Sequence, residues 1–216
     1  MGFVGMNISE LKYRIKEYEL TVQRALDVFY EGGNLFFEYL GKSWYSPNAV
    51  NFSNIYGSRL YNCTVTDVLN FINDYSNRFI FSCNIMAHAN GVLEQFEEPV
   101  FQLKGSEFPS LKEAGPSGEV GMDISSLTSI VQNYHNTLQQ GLELLENVRV
   151  DFPLYSSDES IQNAMRVSYN ALIDKIKLSY KETMQALLNE INSNQNNLQT
   201  SAAQAASTIQ GSSSAS

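Results

Sequence analysis

The sequence predicts an all-α protein, with two long antiparallel helical hairpins forming an elongated four-helix bundle. Two observations carry this. Apolar and small residues recur at steps of three and four along four long stretches, the signature of helices that bury one face. The five prolines fall only at the ends of these stretches or between them, where a missing N–H is tolerated.

The first stretch carries its stripe at Ile8, Leu11, Ile15, Tyr18, Val22, Ala25, Phe29, Gly33, Phe36 and Leu40. A helix is expected from Asn7 or Ser9 to about Leu40, because Asn7 and Ser9 followed by Glu10 offer N-cap chemistry. Gly32-Gly33 interrupts it with a pair that either kinks the helix or admits another backbone closely. Next comes Gly41-Lys-Ser-Trp-Tyr-Ser-Pro-Asn-Ala-Val-Asn-Phe52, holding the single tryptophan, Trp44. Pro47 suits the first turn of a new helix and Ser46 its N-cap, so this stretch reads as the tip of a hairpin. A second helix starts at Pro47 and is expected to reach toward Phe96, with Val65, Val68, Ile72, Tyr75, Phe79, Ser82, Met86, Ala89, Leu93 and Phe96 in phase. Uninterrupted it would span roughly 75 Å, against roughly 50 Å for the first. A break or kink is therefore expected near Gly91, after Asn90.

Residues 97–122 lose the periodicity and carry Pro99, Pro109, Pro116 and four glycines, so they read as a linker. Its Val100, Phe101, Leu103 and Phe108, with Phe96 before them, predict that it packs along the helices. A third helix is expected from Asp123, with Ile124, Leu127, Val131, Tyr134, Leu138, Gly141, Leu145 and Val148 on its stripe. Asp151–Asp158 would form a second tip. A fourth helix then carries Ile161, Met165, Ser168, Leu172, Ile176, Ser179, Thr183, Leu187 and Ile191. No charged residue follows Glu190, and the helix is expected to fray to about Ile209. The organisation is thus a first hairpin with a Trp tip (1–96), a linker (97–122), a second hairpin without Trp (123–209) and a disordered tail (210–216). Leu154-Tyr155-Ser156 stands in the second tip where Trp44-Tyr45-Ser46 stands in the first, a pattern that reads as tandem duplication. One continuous core is expected, burying Phe29, Ile72, Leu138 and Leu172.

Trp44-Tyr45-Ser46, with Ala49 and Phe52 after it, resembles the Trp-X-Gly signature of the small helical-hairpin proteins exported by bacterial type VII secretion systems. Ser46 stands where the name-giving glycine falls, and a small polar residue there can cap the next helix. The resemblance covers about residues 8–96 well and 123–209 weakly. It implies a non-enzymatic helical interaction protein, a secreted substrate or adaptor of such a system, whose two hairpins pair within one chain. The implied partner is a protein, either the secretion machinery or a co-secreted helical protein, and the implied location is outside the cell or on its surface. The family's export signal is an aromatic residue followed four positions later by an acid, just after a hairpin. Tyr13-Arg-Ile-Lys-Glu17 and Tyr155-Ser-Ser-Asp-Glu159 have that form in the wrong places, and both read as chance.

Composition narrows the classes. The net charge is −9 with a pI near 4.7. Nucleic-acid binding needs a basic face to displace counterions, and docking on anionic lipid needs one too, so both are disfavoured. No stretch reaches the ~18 apolar residues of a membrane span, so stable insertion is not expected. Met1–Met6 is too short for a signal-peptide core, so export would take a non-classical route. Cys63 and Cys83 lie roughly 30 Å apart on one helix, beyond disulfide reach.

Nothing in the sequence assembles a catalytic, cofactor or metal site. His88 and His135 lack a carboxylate three or four positions away, and no metal-hydrolase pair exists. Gly41-Lys42-Ser43 mimics the end of a P-loop, yet Phe36 occupies the first glycine's position. The candidate partner-recognition residues are Trp44, Tyr45, Ser46, Pro47 and Phe52, with Trp44 expected to be partly exposed. The competing expectation is a buried Trp44 that only seals the hairpin. Two other functions fit the composition: a membrane-acting protein that opens its aromatic second helix onto lipid, and a purely structural bundle.

Overall fold

The computed structural model describes residues 7–93, 95–148 and 159–213. It is mostly helical, with one two-stranded sheet. Helix α1 spans Ile8–Ser43. Asn7 caps it, its side-chain oxygen accepting from the Glu10 N–H at 3.2 Å. Two extended residues, Trp44–Tyr45, form β1. A continuous helical rod follows from Pro47 to Ala89, made of α2 (Pro47–Phe52), α3 (Ser58–Tyr61) and α4 (Asp67–Ala89). π-helical turns at Ser53–Gly57 and Asn62–Thr66 join them. Strand β2 is Gly121–Met122, α5 is Ile124–Val148 and α6 is Glu159–Ser213.

The π turns are not foreseen in the three-and-four periodicity. Each wider turn slips the register, so neighbouring residues share the inner face: Phe52 with Ser53, Leu60 with Tyr61, and Cys63 through Val65 are all buried. Hydroxyls accompany both turns. Ser53 Oγ donates to the Val50 carbonyl at 3.0 Å and Thr64 Oγ1 to the Leu60 carbonyl at 2.7 Å, bonds of the kind that loosen an α-helical ladder.

The rod stops where expected. Gly91 adopts φ +73°, a conformation costly for side chains other than glycine. The Gly91 N–H bonds back to the His88 carbonyl at 3.0 Å and the Val92 N–H to Ala87 at 3.0 Å, closing a Schellman cap. Leu93, placed on the stripe by phase, lies beyond this end and is 94% exposed.

Pairings along the helices show that neighbours run antiparallel. Tyr18 on α1 meets Tyr75 on α4, and Phe37 meets Phe52 near the other end. Against α5, Phe36 stacks on Tyr134 at 4.7 Å, while Phe29 lies against Gly141. α6 is tied to the rod by Lys175 with Asp67 at 2.6 Å and by Arg59 with Glu182. It meets α5 through Tyr134 and Tyr180, whose rings lie 5.8 Å apart.

This arrangement explains the long linker. α4 ends far from the Trp tip, whereas α5 must start at that tip to run antiparallel to α1. The connection therefore crosses the length of the hairpin as an extended chain. Asn84 holds both polar groups of Phe96, accepting from its N–H at 2.7 Å and donating to its carbonyl at 3.2 Å. Gln23 does the same for Gln102, and Lys104 pairs with Asp27 and Glu31. Phe96 and Phe108 are buried as expected and Phe101 is half-buried against the core; Leu111, which the sequence reading does not single out, is buried as well, whereas Val100 (71% exposed) and Leu103 face outward. Polar bonds and the edge-on packing of Phe101 against Tyr18 together fasten this part of the linker.

Phe29, Ile72, Leu138 and Leu172 are all buried. The core is nevertheless in two pieces, not one. A separate cluster of Leu11, Ile15, Phe79, Ile80, Cys83, Ala87 and Phe96 closes the end remote from the tip, where α1 and α4 extend beyond α5. Helix α6 continues through Ser213, four residues beyond the expected limit of Ile209. The second tip, Asp151–Asp158, lies outside the described residues.

The glycine pair proves to be an approach site. A methyl at Gly33 would overlap the Phe108 ring, and one at Gly141 would overlap Phe29. Gly33→Ala and Gly141→Ala should each lower unfolding stability by about 1–3 kcal/mol, measured in urea. A neutral or stabilising effect, as expected of Gly→Ala in an unconstrained helix, would contradict this packing.

Candidate functional site

The tip is assembled by three separated segments. Ser43 ends α1, and its carbonyl accepts from the Asp123 N–H at 2.7 Å. β1 pairs antiparallel with β2, Trp44 opposite Met122 and Tyr45 opposite Gly121. Tyr45 also forms a parallel bridge with Lys112, whose carbonyl accepts from the Ser46 N–H at 3.2 Å. Residues entering and leaving the last part of the linker thus flank the tip. Gly115 packs against the Tyr45 ring, and the turn Gly115–Glu119 uses Gly118 at φ +77°.

Ser46 is the N-cap of α2, its Oγ accepting from the Ala49 N–H at 3.0 Å, with Pro47 next in the first turn. This satisfies an orphan helix donor. A glycine at position 46 would leave that bond unmade.

Trp44 is 1% exposed and Phe52 is 3% exposed. Their rings lie 5.4 Å apart in a tilted contact, and Phe52 continues the stack to Tyr56 at 4.9 Å and Phe37 at 6.4 Å. The expectation of a partly exposed Trp44 is corrected: in this structure the indole seals the turn. The physical reason is the junction at this end: Phe52 packs on the indole, Met122 of β2 stands opposite Trp44, and Leu111 belongs to the same buried cluster. Leu111 is itself buried, and its N–H donates to Ser53 Oγ at 3.2 Å. Tyr45 and Ser46 are half-buried and Pro47 is exposed. The five expected recognition residues are therefore brought together, but only Tyr45, Ser46 and Pro47 present surface. Sequence reasoning missed Leu111, Lys112 and Met122 as parts of the tip. Lys112 joins through its backbone alone, which leaves no side-chain signature.

The groups tested for chemistry are dispersed. His88 is exposed at the end of α4, while His135 lies at the α5–α6 seam, its Nδ1 3.1 Å from the Tyr180 hydroxyl. Tyr13 donates to Glu17 at 2.6 Å, an ordinary contact one turn apart on α1. A groove of about 230 Å³ between α1 and α5 is lined by Leu35, Phe36, Tyr39, Ile130 and Tyr134, and tyrosine supplies its only ionisable groups. Among the described residues, no group of three or more His, Cys, Asp or Glu could hold a metal ion, and no helix is long and apolar enough to cross a membrane. Comparison with protein-family models, curated proteins and solved structures finds no match.

Cys63 and Cys83 are free and buried. Burial raises the Cys63 thiol and pushes that of Cys83 up to about 12. At pH 8 an aromatic disulfide reagent should leave both unmodified in the native protein and titrate both after denaturation. Rapid native reaction of either would mean that the core opens.

Trp44→Ala removes the seal and should cost about 3–5 kcal/mol. Pro47→Ala, at an exposed position, should stay within about 0.5 kcal/mol. Urea melts followed by circular dichroism distinguish them, and a loss below about 1 kcal/mol at Trp44 would contradict the sealing role.

Proposed function

We propose that the chain is a non-enzymatic helical interaction protein, a substrate or adaptor of a type VII secretion system. Its two antiparallel hairpins make one elongated four-helix bundle. The observation that carries the reading is the first hairpin. Two long antiparallel helical elements meet at a turn whose single tryptophan is buried against Phe52, and Ser46 caps the second element at the signature's third position. That geometry gives the Trp-X-Gly-like residues a structural use, which their spacing alone did not.

On this reading the partner is a protein of the secretion machinery or a co-secreted helical protein. It would be met by surface complementarity along the rods and at Tyr45 and Pro47, with Trp44 and Phe52 holding the tip in shape. The chain would be made in the cytoplasm and leave by a non-classical route, to the medium or the cell surface. The groove between α1 and α5 and the dispersed histidines favour such a role over catalysis, because no convergent acid–base pair meets in either place.

Export decides the matter. Expressed with an epitope tag in a bacterium that has a type VII machine, the full chain should accumulate in the medium or at the surface. It should remain in the cytoplasm when the membrane-bound ATPase of that machine is deleted. Retention in both strains, or equal release from both, would overturn the proposal.

A further inference from the structure

Near the tip, Glu190 of α6 accepts from Asn48 Nδ2 at 3.4 Å, and Ile191 packs against the core. Residues 192–213 continue as helix beyond them, an arm of about 33 Å at 1.5 Å per residue. From 195 to 207 every described side chain is exposed. The arm's own composition does not sustain it. Asn192, Asn194, Asn196 and Asn197, with several Ser and Thr, are poor helix formers. In proteins most of a helix's stability comes from packing an amphipathic face rather than from propensity.

We propose that this arm is an association surface, and that its occupant is the same arm of a second copy, lying antiparallel. Three observations select that occupant. First, the buried face of α6 runs on without a phase break: from Leu187 and Ile191 the three-and-four steps lead to positions 194, 198, 202, 205 and 209. The packing face of the body therefore continues into the arm. Second, the arm has no charged residue within a chain of net charge −9. It lacks the flanking charges that would select a different helix, and it meets a copy of itself without repulsion. Amide side chains such as Gln195, Asn196 and Gln199 both donate and accept, so two copies of such a surface can bond to each other. Third, antiparallel pairing places the two acidic bodies at opposite ends of the joined arms. That separation exceeds the screening length of about 8–10 Å, whereas parallel pairing would set the bodies side by side. The inference does not rest on the export reading.

The test uses the full chain in sedimentation velocity, from low to high micromolar concentration. Two arms of this size bury area near the lower end for specific interfaces, about 1,200 Å², so a reversible micromolar dimer of twice the 24.2 kDa chain mass is expected. Ala202→Glu with Ala205→Glu, on the continuing face, should abolish it. Thr200→Glu with Ser207→Glu, which adds the same charge to the opposite face, should preserve it. Circular dichroism should show the body helices retained in both. A wild-type monomer throughout the range, a dimer that survives the first pair, or equal loss from both pairs would overturn the proposal. Orientation is read separately. Ala202→Cys, at the arm's midpoint, should oxidise to a covalent dimer, and Asn194→Cys, near its base, should not. The reverse result would overturn the antiparallel arrangement.

Discussion

The insertion of Phe108 against Gly33 is the contact on which the rest of the structure depends. It is where the extended crossover is held between the first two helical elements: the Phe108 ring stacks on Phe37 at 5.7 Å and meets Tyr61 edge-on at 5.3 Å. Only a residue without a Cβ leaves room for it there. One residue away, Gly32 faces Thr137, so the same pair of glycines admits the linker on one side and α5 on the other. A helix interior normally loses about 1 kcal/mol for each glycine relative to alanine. Here that cost is offset by two interfaces that no side chain at those positions would allow.

Fixing the crossover also fixes the direction of α5. Tyr61 donates to the Gly105 carbonyl at 2.7 Å and Leu111 to Ser53, so the linker is led toward the tip by side chains of α3 and the first π turn. There Asp123 follows the strand and caps α5, its carboxylate accepting from the Ser125 hydroxyl at 2.6 Å, the Ser126 hydroxyl at 2.9 Å and the Ser125 N–H at 3.0 Å. These bonds hold its pKa below the usual carboxylate range. The antiparallel packing of α5 on α1 is thus set by where the linker is released. Burial of Leu138, Leu142 and Leu145 is then a consequence of the helical period.

The helices are legible in the sequence because their signals are local. Asn7, Ser46, Gly91 and Asp123 announce their ends through cap chemistry, and Phe29, Ile72, Leu138 and Leu172 announce their inner faces through spacing. The features that escape sequence reading depend on contacts between distant segments. Val100 and Leu103 have the same apolar character as Phe108, yet they point outward, because the linker is fastened beside them by Gln23, Asp27 and Glu31 through groups that carry no periodicity. The π turns are hidden for a related reason. Ser53 and Thr64 look like tolerated polar residues until their hydroxyls are seen bonded to carbonyls of the preceding turn. At the candidate site, the sequence identifies the residues that meet but not the strand that pairs with them.

That paired strand also explains why symmetry between the tips is a poor guide to Trp44. In the sequence Leu154 stands where a repeat of Trp44 would fall, so a tryptophan looks unnecessary for closing a turn, and exposure for recognition looks the better use. The first tip, however, is more than a turn. It is a junction of three segments: α1 ends there, α2 begins there, and the crossover delivers β2 and α5 there. A large rigid side chain is suited to filling a space bounded by Phe52 on one side and by the returning chain on the other. The single tryptophan therefore marks where the two halves of the chain are joined, and any partner that reads this end meets the Tyr45–Pro47 rim that the buried indole holds in place.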